Sequence, residues 1–167
     1  MTSAYIHIPF CEHICFYCDF NKVFIEGQPV DEYIESLIKE IRLTKEKYPS
    51  DKTETIYIGG GTPTSLSAQQ LDALLKGIRE ELPFVDGDEF TVEANPGDLT
   101  LEKLQVLQNY GVNRLSMGVQ SFNEKKKKKI GRKHTAQDVY DTMKIFEAAD
   151  FKNVSIDLIF ALPNQTI

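Results

Sequence analysis

Three cysteines, Cys11, Cys15 and Cys18, fall within eight residues of a 167-residue chain that contains no others. An odd number at so tight a spacing is poor material for a disulfide framework and good material for metal ligation. Two chemistries suit the C-x3-C-x2-C pattern. Three thiolates can hold a cubane iron–sulfur cluster by three corners and leave the fourth iron open to a substrate. The same cysteines can instead form a tetrahedral zinc site with His13 or His7 as the fourth ligand. The triplet alone leaves both open. A second candidate is Gly59-Gly60-Gly61-Thr62-Pro63, a loop in which only glycine lets the backbone approach something closely.

These segments need elements to position them. Alternation in Ala4–Ile8 predicts a strand running straight into the cysteine loop, and Glu54–Ile58 predicts a second running into the glycine loop. Further strands are expected at Phe90–Ala94, Arg114–Val119 and Val154–Ile159. Between them lie four helical patterns. The first runs from Val30 until Pro49 forbids continuation, and the second follows a capping box of Ser67 and Gln70. The third carries Leu101, Leu104 and Leu107 and is ended by Gly111, and Asp138 to Ala149 make most of the fourth. Strands alternating with helices mean an α/β fold with a parallel sheet and right-handed crossovers.

Strand parity says more. One set of alternate residues is aliphatic (Ile6, Ile58, Val92, Met117, Ile156), while the other holds Tyr5, His7, Tyr57, Glu93, Ser116, Gln120 and Asp157. A polar second face in a parallel sheet implies that it lines a cavity, with helices on the other side. Curling such a sheet inward gives a partial TIM-like (βα) barrel with its chemistry at the C-terminal strand ends, where both loops, Glu93 and Gln120 lie. About five βα units do not close a barrel, so the domain over residues 1–167 is expected to be incomplete.

Composition narrows the class: 41% hydrophobic and 26% charged residues fit one globular domain. No apolar run is long enough for a transmembrane segment, the N-terminus lacks a signal-peptide layout, and a cytoplasmic location is expected. The net charge of −6 argues against nucleic acid as the main partner. The charge is uneven, however. Residues 125–133 hold seven basic side chains, and without them the chain carries 12 basic against 25 acidic ones. Lys125–Lys129 leave no apolar stripe, so the stretch reads as solvated and self-repelling, and a helix there as poorly anchored.

The run from Tyr5 through Cys18 and the glycine segment closely resemble the radical S-adenosylmethionine (SAM) family. Val92–Pro96, Ser116–Asn123, Gly131–His134 and Asp157–Pro163 follow in the order found in the branch that contains oxygen-independent coproporphyrinogen oxidase and the HemW heme chaperones. The resemblance covers essentially the whole chain but only the N-terminal portion of family members. It implies a [4Fe–4S] cluster on Cys11, Cys15 and Cys18 in the loop 11–18, with SAM chelating the open iron. One electron from the cluster then cleaves the C–S bond to give a 5′-deoxyadenosyl radical, the cofactors carrying the hard chemistry.

By the same resemblance, Gly60, Gly61 and Thr62 belong to the glycine motif that meets the methionyl end of SAM. Glu93 and Gln120 bond its methionyl and ribose parts, Arg132 its carboxylate, and Asp157 the ribose. Tyr5 stands beside the sulfonium, and the backbone of Tyr17 meets the adenine. The lysine run departs from the leucines usual in the family and weakens the expectation for Arg132. The oxidases carry another cysteine two residues after the third ligand, where this chain has Phe20, which favours the chaperone reading: delivery of heme to respiratory cytochromes. Radical decarboxylation of a porphyrinogen is the alternative, and a zinc-stabilised binding module the third. The implied partners are SAM, heme or porphyrin, and an electron donor. An uncovered fifth strand also predicts weak SAM binding or none, no completed catalytic cycle, and either self-association or a flexible tail from Leu162 onward.

Overall fold

The computed structural model describes residues 3–162 and Gln165. Pro163 and most of the tail expected to be flexible lie outside the described residues. The backbone runs β1 (Ser3–Ile8), β2 (Phe10–Cys11), β3 (Val23–Phe24), α1 (Val30–Lys47), β4 (Thr53–Gly60) and α2 (Ala68–Glu81). It continues through β5 (Phe84–Ala94), α3 (Leu101–Asn109), β6 (Arg114–Gln120), α4 (Glu124–Lys129), α5 (Ala136–Ala148) and β7 (Val154–Leu158). Strands β1, β4, β5, β6 and β7 form one open sheet in that order, every pair parallel. The chain is therefore an α/β protein with a parallel sheet that does not close into a barrel.

The helices cover the aliphatic face. Ile6, Ile58, Val92 and Met117 are buried in one core with Leu71, Leu74, Leu75 and Ile78 of α2, Leu104 and Leu107 of α3, and Phe146 of α5. Each such side chain contributes roughly 1.5–3 kcal/mol by leaving water. Helix starts follow their caps. Ser67 and Gln70 form the expected box on α2, and a second box of Thr135 and Asp138 starts α5 two residues before the expected position. Gly111, at φ +86°, takes the left-handed turn after α3.

Two expectations need correction. β5 begins at Phe84, six residues early, because the chain pairs with β4 across a register shift between Thr53 and Thr55. The lysine run is not a loose solvated segment either. It forms α4, capped by the Asn123 side chain, with Lys127 only 1% exposed and its Nζ 2.7 Å from Glu124 Oε1. The aliphatic stem is what packs, and one local carboxylate neutralises its head.

At β7 the outer face is thinly covered. Ile156 is 40% and Leu158 59% exposed, as expected for an uncovered fifth strand at the sheet edge. No helix among the described residues is long and apolar enough to cross a membrane.

Candidate functional site

A cavity of about 680 Å³ opens at the C-terminal ends of the strands, a size ordinary for a cofactor site. Cys11, Cys15, Cys18, Tyr17, Gly60, Gly61, Thr62, Glu93, Gln120, Arg132 and Asp157 all line it. Gly60, Glu93, Gln120 and Asp157 lie at or near the C-terminal ends of β4, β5, β6 and β7, so their convergence follows from parallel pairing: Glu93 is level with Ser116, and Gly118 with Asp157. The cysteines come from the end of β2 and the loop after it, and Arg132 from the loop after α4. Tyr5 does not join them among the described residues. Its parity is as expected but its depth is not, since it pairs in register with Tyr57, three residues before the end of β4. There it stacks on the Tyr57 ring and donates to His7 Nδ1 at 3.0 Å. His7 Nε2 donates in turn to Asn21 O at 2.8 Å, so His7 braces the loop.

The cysteine loop is tied down from several sides. Gly61 N and Thr62 N donate to Ile8 O and Phe10 O, both at 2.8 Å. A Cβ on Gly61 would lie 2.6 Å from Phe10 O, and one on Gly60 2.5 Å from the His7 ring. The glycine segment is therefore needed first to pack against the cysteine loop. Lys22 Nζ closes the loop's far side on the carbonyls of Cys18 and Phe20. Cys11 and Cys15 are buried, and burial pushes the Cys11 thiol up, against a hydrogen bond from Thr62 that lowers it.

Polar side chains are fixed just as firmly. The Glu93 carboxylate accepts from Tyr57 Oη at 2.7 Å and Gly60 N at 3.1 Å. Burial, then that bond, raises the Tyr57 phenol well above its usual range, so it stays a donor. Asp157 accepts from Ser116 Oγ at 2.9 Å. Gln120, which lines the cavity, adopts φ +65° at the register shift between β6 and β7. Burial likewise raises the Tyr17 phenol.

Arg132 is held where the lysine run had cast doubt on it. Its Nη2 donates to Gly118 O at 2.6 Å and its Nη1 to Asn95 Oδ1 at 3.0 Å, with Cys15 Sγ 3.7 Å away. Asn95 is a residue that sequence reasoning quoted without a role. Its Nδ2 donates to Thr62 Oγ1 at 3.0 Å, and that hydroxyl lies 3.7 Å from Cys11 Sγ. A polar arc therefore runs from one cysteine sulfur through Thr62, Asn95 and Arg132 to another. Its only signal in the sequence is an asparagine before proline at a strand end.

Among the described residues no set of three or more His, Cys, Asp or Glu side chains forms a ready site for a single ion. The three sulfurs instead rim one cavity, which suits a cluster ligated at three separate irons, with donors already aimed at two of them. Of the two histidines considered as a fourth zinc ligand, His13 lines the cavity while His7 is spent on Tyr5 and Asn21. Beyond the sulfurs the wall offers the Arg132 guanidinium, the carboxylates of Asp19, Glu93 and Asp157, the amides of Asn95 and Gln120, and the rings of Tyr17 and Phe20. Such a wall can bind a zwitterion carrying a ribose and a base.

The chain matches the family model for the Radical SAM superfamily over residues 5–167. It is 57% identical to the heme chaperone HemW of Lactococcus lactis, over 99% of this chain and 43% of that protein. With the heme chaperone HemW of Bacillus subtilis it is 54% identical, over 100% of this chain and 44% of that protein. Among solved structures it superposes on coproporphyrinogen III oxidase (HemN) of Escherichia coli, a radical SAM enzyme, with TM-score 0.89 and 34% identity, covering 99% of this chain and 38% of that one. The chain thus spans less than half the length of these relatives, and it belongs to the radical SAM superfamily.

Proposed function

We propose that this chain is the cluster- and SAM-binding part of a HemW-like heme chaperone, one that delivers heme to respiratory cytochromes. The observation that carries the reading is the single cavity rimmed by Cys11, Cys15 and Cys18 and walled by Glu93, Arg132, Gln120 and Asp157. When bound, the cluster and SAM would together supply one-electron cleavage of a C–S bond. The protein's part is geometric. Cys11, Cys15 and Cys18 hold the cluster. Arg132 and Glu93 take the carboxylate and ammonium ends of SAM as charge-assisted partners, while Asp157 and Gln120 take the ribose hydroxyls. Gly60 and Gly61 keep the methionyl side clear, with Thr62 beside them, and Tyr17 borders the adenine. Tyr5 acts from behind, by bracing Tyr57 and His7. Three free thiols fit a reducing, cytoplasmic compartment.

The test is anaerobic reconstitution with iron and sulfide followed by electron paramagnetic resonance with and without SAM. A reduced-cluster signal that changes on adding SAM supports the reading. Stoichiometric zinc with no uptake of iron and sulfide would leave a zinc-stabilised module. The likeness to coproporphyrinogen III oxidase supports a second reading, radical decarboxylation of a porphyrinogen. Phe20, where the resembled oxidases carry cysteine, and the higher identity to the chaperones weigh against it. Porphyrinogen turnover by a full-length protein carrying this domain would decide for the oxidase.

A further inference from the structure

The cavity does not account for the lysine run. In α4, Lys125, Lys128 and Lys129 stand at i, i+3 and i+4 and share one exposed face, while Lys127 turns inward to Glu124. Lys133 is exposed just beyond. Among the described residues no carboxylate stands within ion-pair distance of Lys125, Lys128, Lys129 or Lys133, unlike Lys45, Lys52 and Lys144, which are all paired. The helix ends against the cysteine loop. Phe16 N donates to Ile130 O at 3.1 Å, and a side chain on Gly131 would press on the Phe16 ring. That loop exposes two large rings, Phe16 at 79% and Phe20 at 68%. An unpaired basic face and two bare aromatics thus border the three-cysteine rim of a chain whose net charge is −6.

Resting on the cluster reading above, we propose that this face docks a small acidic one-electron carrier protein that reduces the cluster. Complementary charge speeds and orients encounter, and aromatic side chains are the usual core of such a contact. Electron delivery needs close approach, and the cysteine loop lies beside the lysine face. One electron leaves the carrier, which is oxidised, and enters the cluster, which is reduced; no bond breaks and no proton moves. An anionic membrane would attract the same lysines, but a six-residue helix whose inner face is Lys127 paired to Glu124 has no apolar stripe to bury in lipid.

The test compares the reconstituted chain with K125E/K128E/K129E and with K39E/K47E/K76E, which changes net charge equally on α1 and α2. Lys127 stays in place in both. The probe is a plant-type [2Fe–2S] ferredoxin, oxidised for binding and reduced for stopped-flow electron transfer, with dithionite as a small reductant. Wild type should bind ferredoxin with an affinity that falls as salt rises. The α4 variant should bind, and be reduced by ferredoxin, at least tenfold less well, while the α1/α2 variant matches wild type and dithionite reduces all three alike. Equal behaviour of the two variants would overturn the proposal. So would a wild-type chain that ignores ferredoxin but sediments with phosphatidylglycerol vesicles. Ferredoxin binding that follows the lysines, in a chain whose cluster dithionite cannot reduce, would fault the cluster reading instead.

Discussion

Arg132 Nη1 lies 3.7 Å from Cys15 Sγ, a contact that joins the loop after α4 to the cysteine loop across the cavity. The guanidinium can reach because residue 118 is glycine: a Cβ there would stand 2.5 Å from Arg132 Nη2. Gly118→Ala should therefore displace Arg132 while leaving β6 in place. SAM affinity, measured by calorimetry on the reconstituted chain, is expected to fall about tenfold, with overpacking costing about 1–3 kcal/mol of stability. Unchanged affinity would remove Arg132 from SAM binding. Asn95→Ala releases both Arg132 and Thr62 from their shared partner, so the cluster's reduction potential should move downward as donors to the sulfurs loosen. Electron paramagnetic resonance in a redox titration reads that shift.

Much of this site was legible because parallel strands put like parity on like faces. Glu93, Gln120 and Asp157 could be assigned to one cavity from the sequence, and Ile6, Ile58, Val92 and Met117 to the helices, but not Ile156, which no helix among the described residues buries. Depth was not legible. Tyr5 has the right parity, but only its pairing with Tyr57 shows that it sits too far down the sheet. Arg132 was obscured for a different reason, since its anchors, Gly118 O and Asn95 Oδ1, come from two strand ends far away in sequence. Charge patterning misled at Lys127, where a run of like residues conceals one position turned inward.

That buried lysine makes a stability prediction with two signs. Glu124→Ala leaves the buried Lys127 ammonium without its carboxylate and should lower stability, less than for a fully buried pair because Glu124 is itself largely exposed. Lys127→Met keeps the stem and removes the charge, so it should be neutral or stabilising. Thermal midpoints of the two variants should fall on opposite sides of, or one well below and the other level with, wild type. If Lys127→Met melts as low as Glu124→Ala or lower, the stranded ammonium is not what destabilises Glu124→Ala, and the prediction fails.

His134 gives the fold an acid-sensitive point. Burial, and after it the charge of Arg132, pushes its imidazole down to about 4, and its Nε2 donates to Val119 O at 3.1 Å. The folded chain thus binds a proton less readily than the unfolded one, whose histidine titrates near 6.5. Its contribution is complete above about pH 6.5 and is lost as pH falls toward 4, on the order of 1–2 kcal/mol after allowance for partial solvent contact. Melting midpoints at pH 7.5 and pH 5 should differ more for wild type than for His134→Gln, which keeps a donor for Val119 O. Identical differences would show that His134 takes no part in the acid response.

The last prediction concerns the sheet edge. Among the described residues β7 pairs only with β6, and Ile156, Leu158 and Phe160 are 40%, 59% and 87% exposed. Covering that apolar surface is favourable at roughly 25 cal/mol per Å², and an unpaired parallel edge offers a second chain its backbone groups as well. The chain as given should therefore self-associate in a concentration-dependent way, read by light scattering behind size exclusion. Ile156→Lys with Leu158→Lys places charge on the same face without touching the cavity wall, where Asp157 has the opposite parity. That variant is expected to run as a monomer. If wild type is monomeric at every concentration, this edge needs no cover, and a region found only in the longer relatives cannot be assigned to it on energetic grounds.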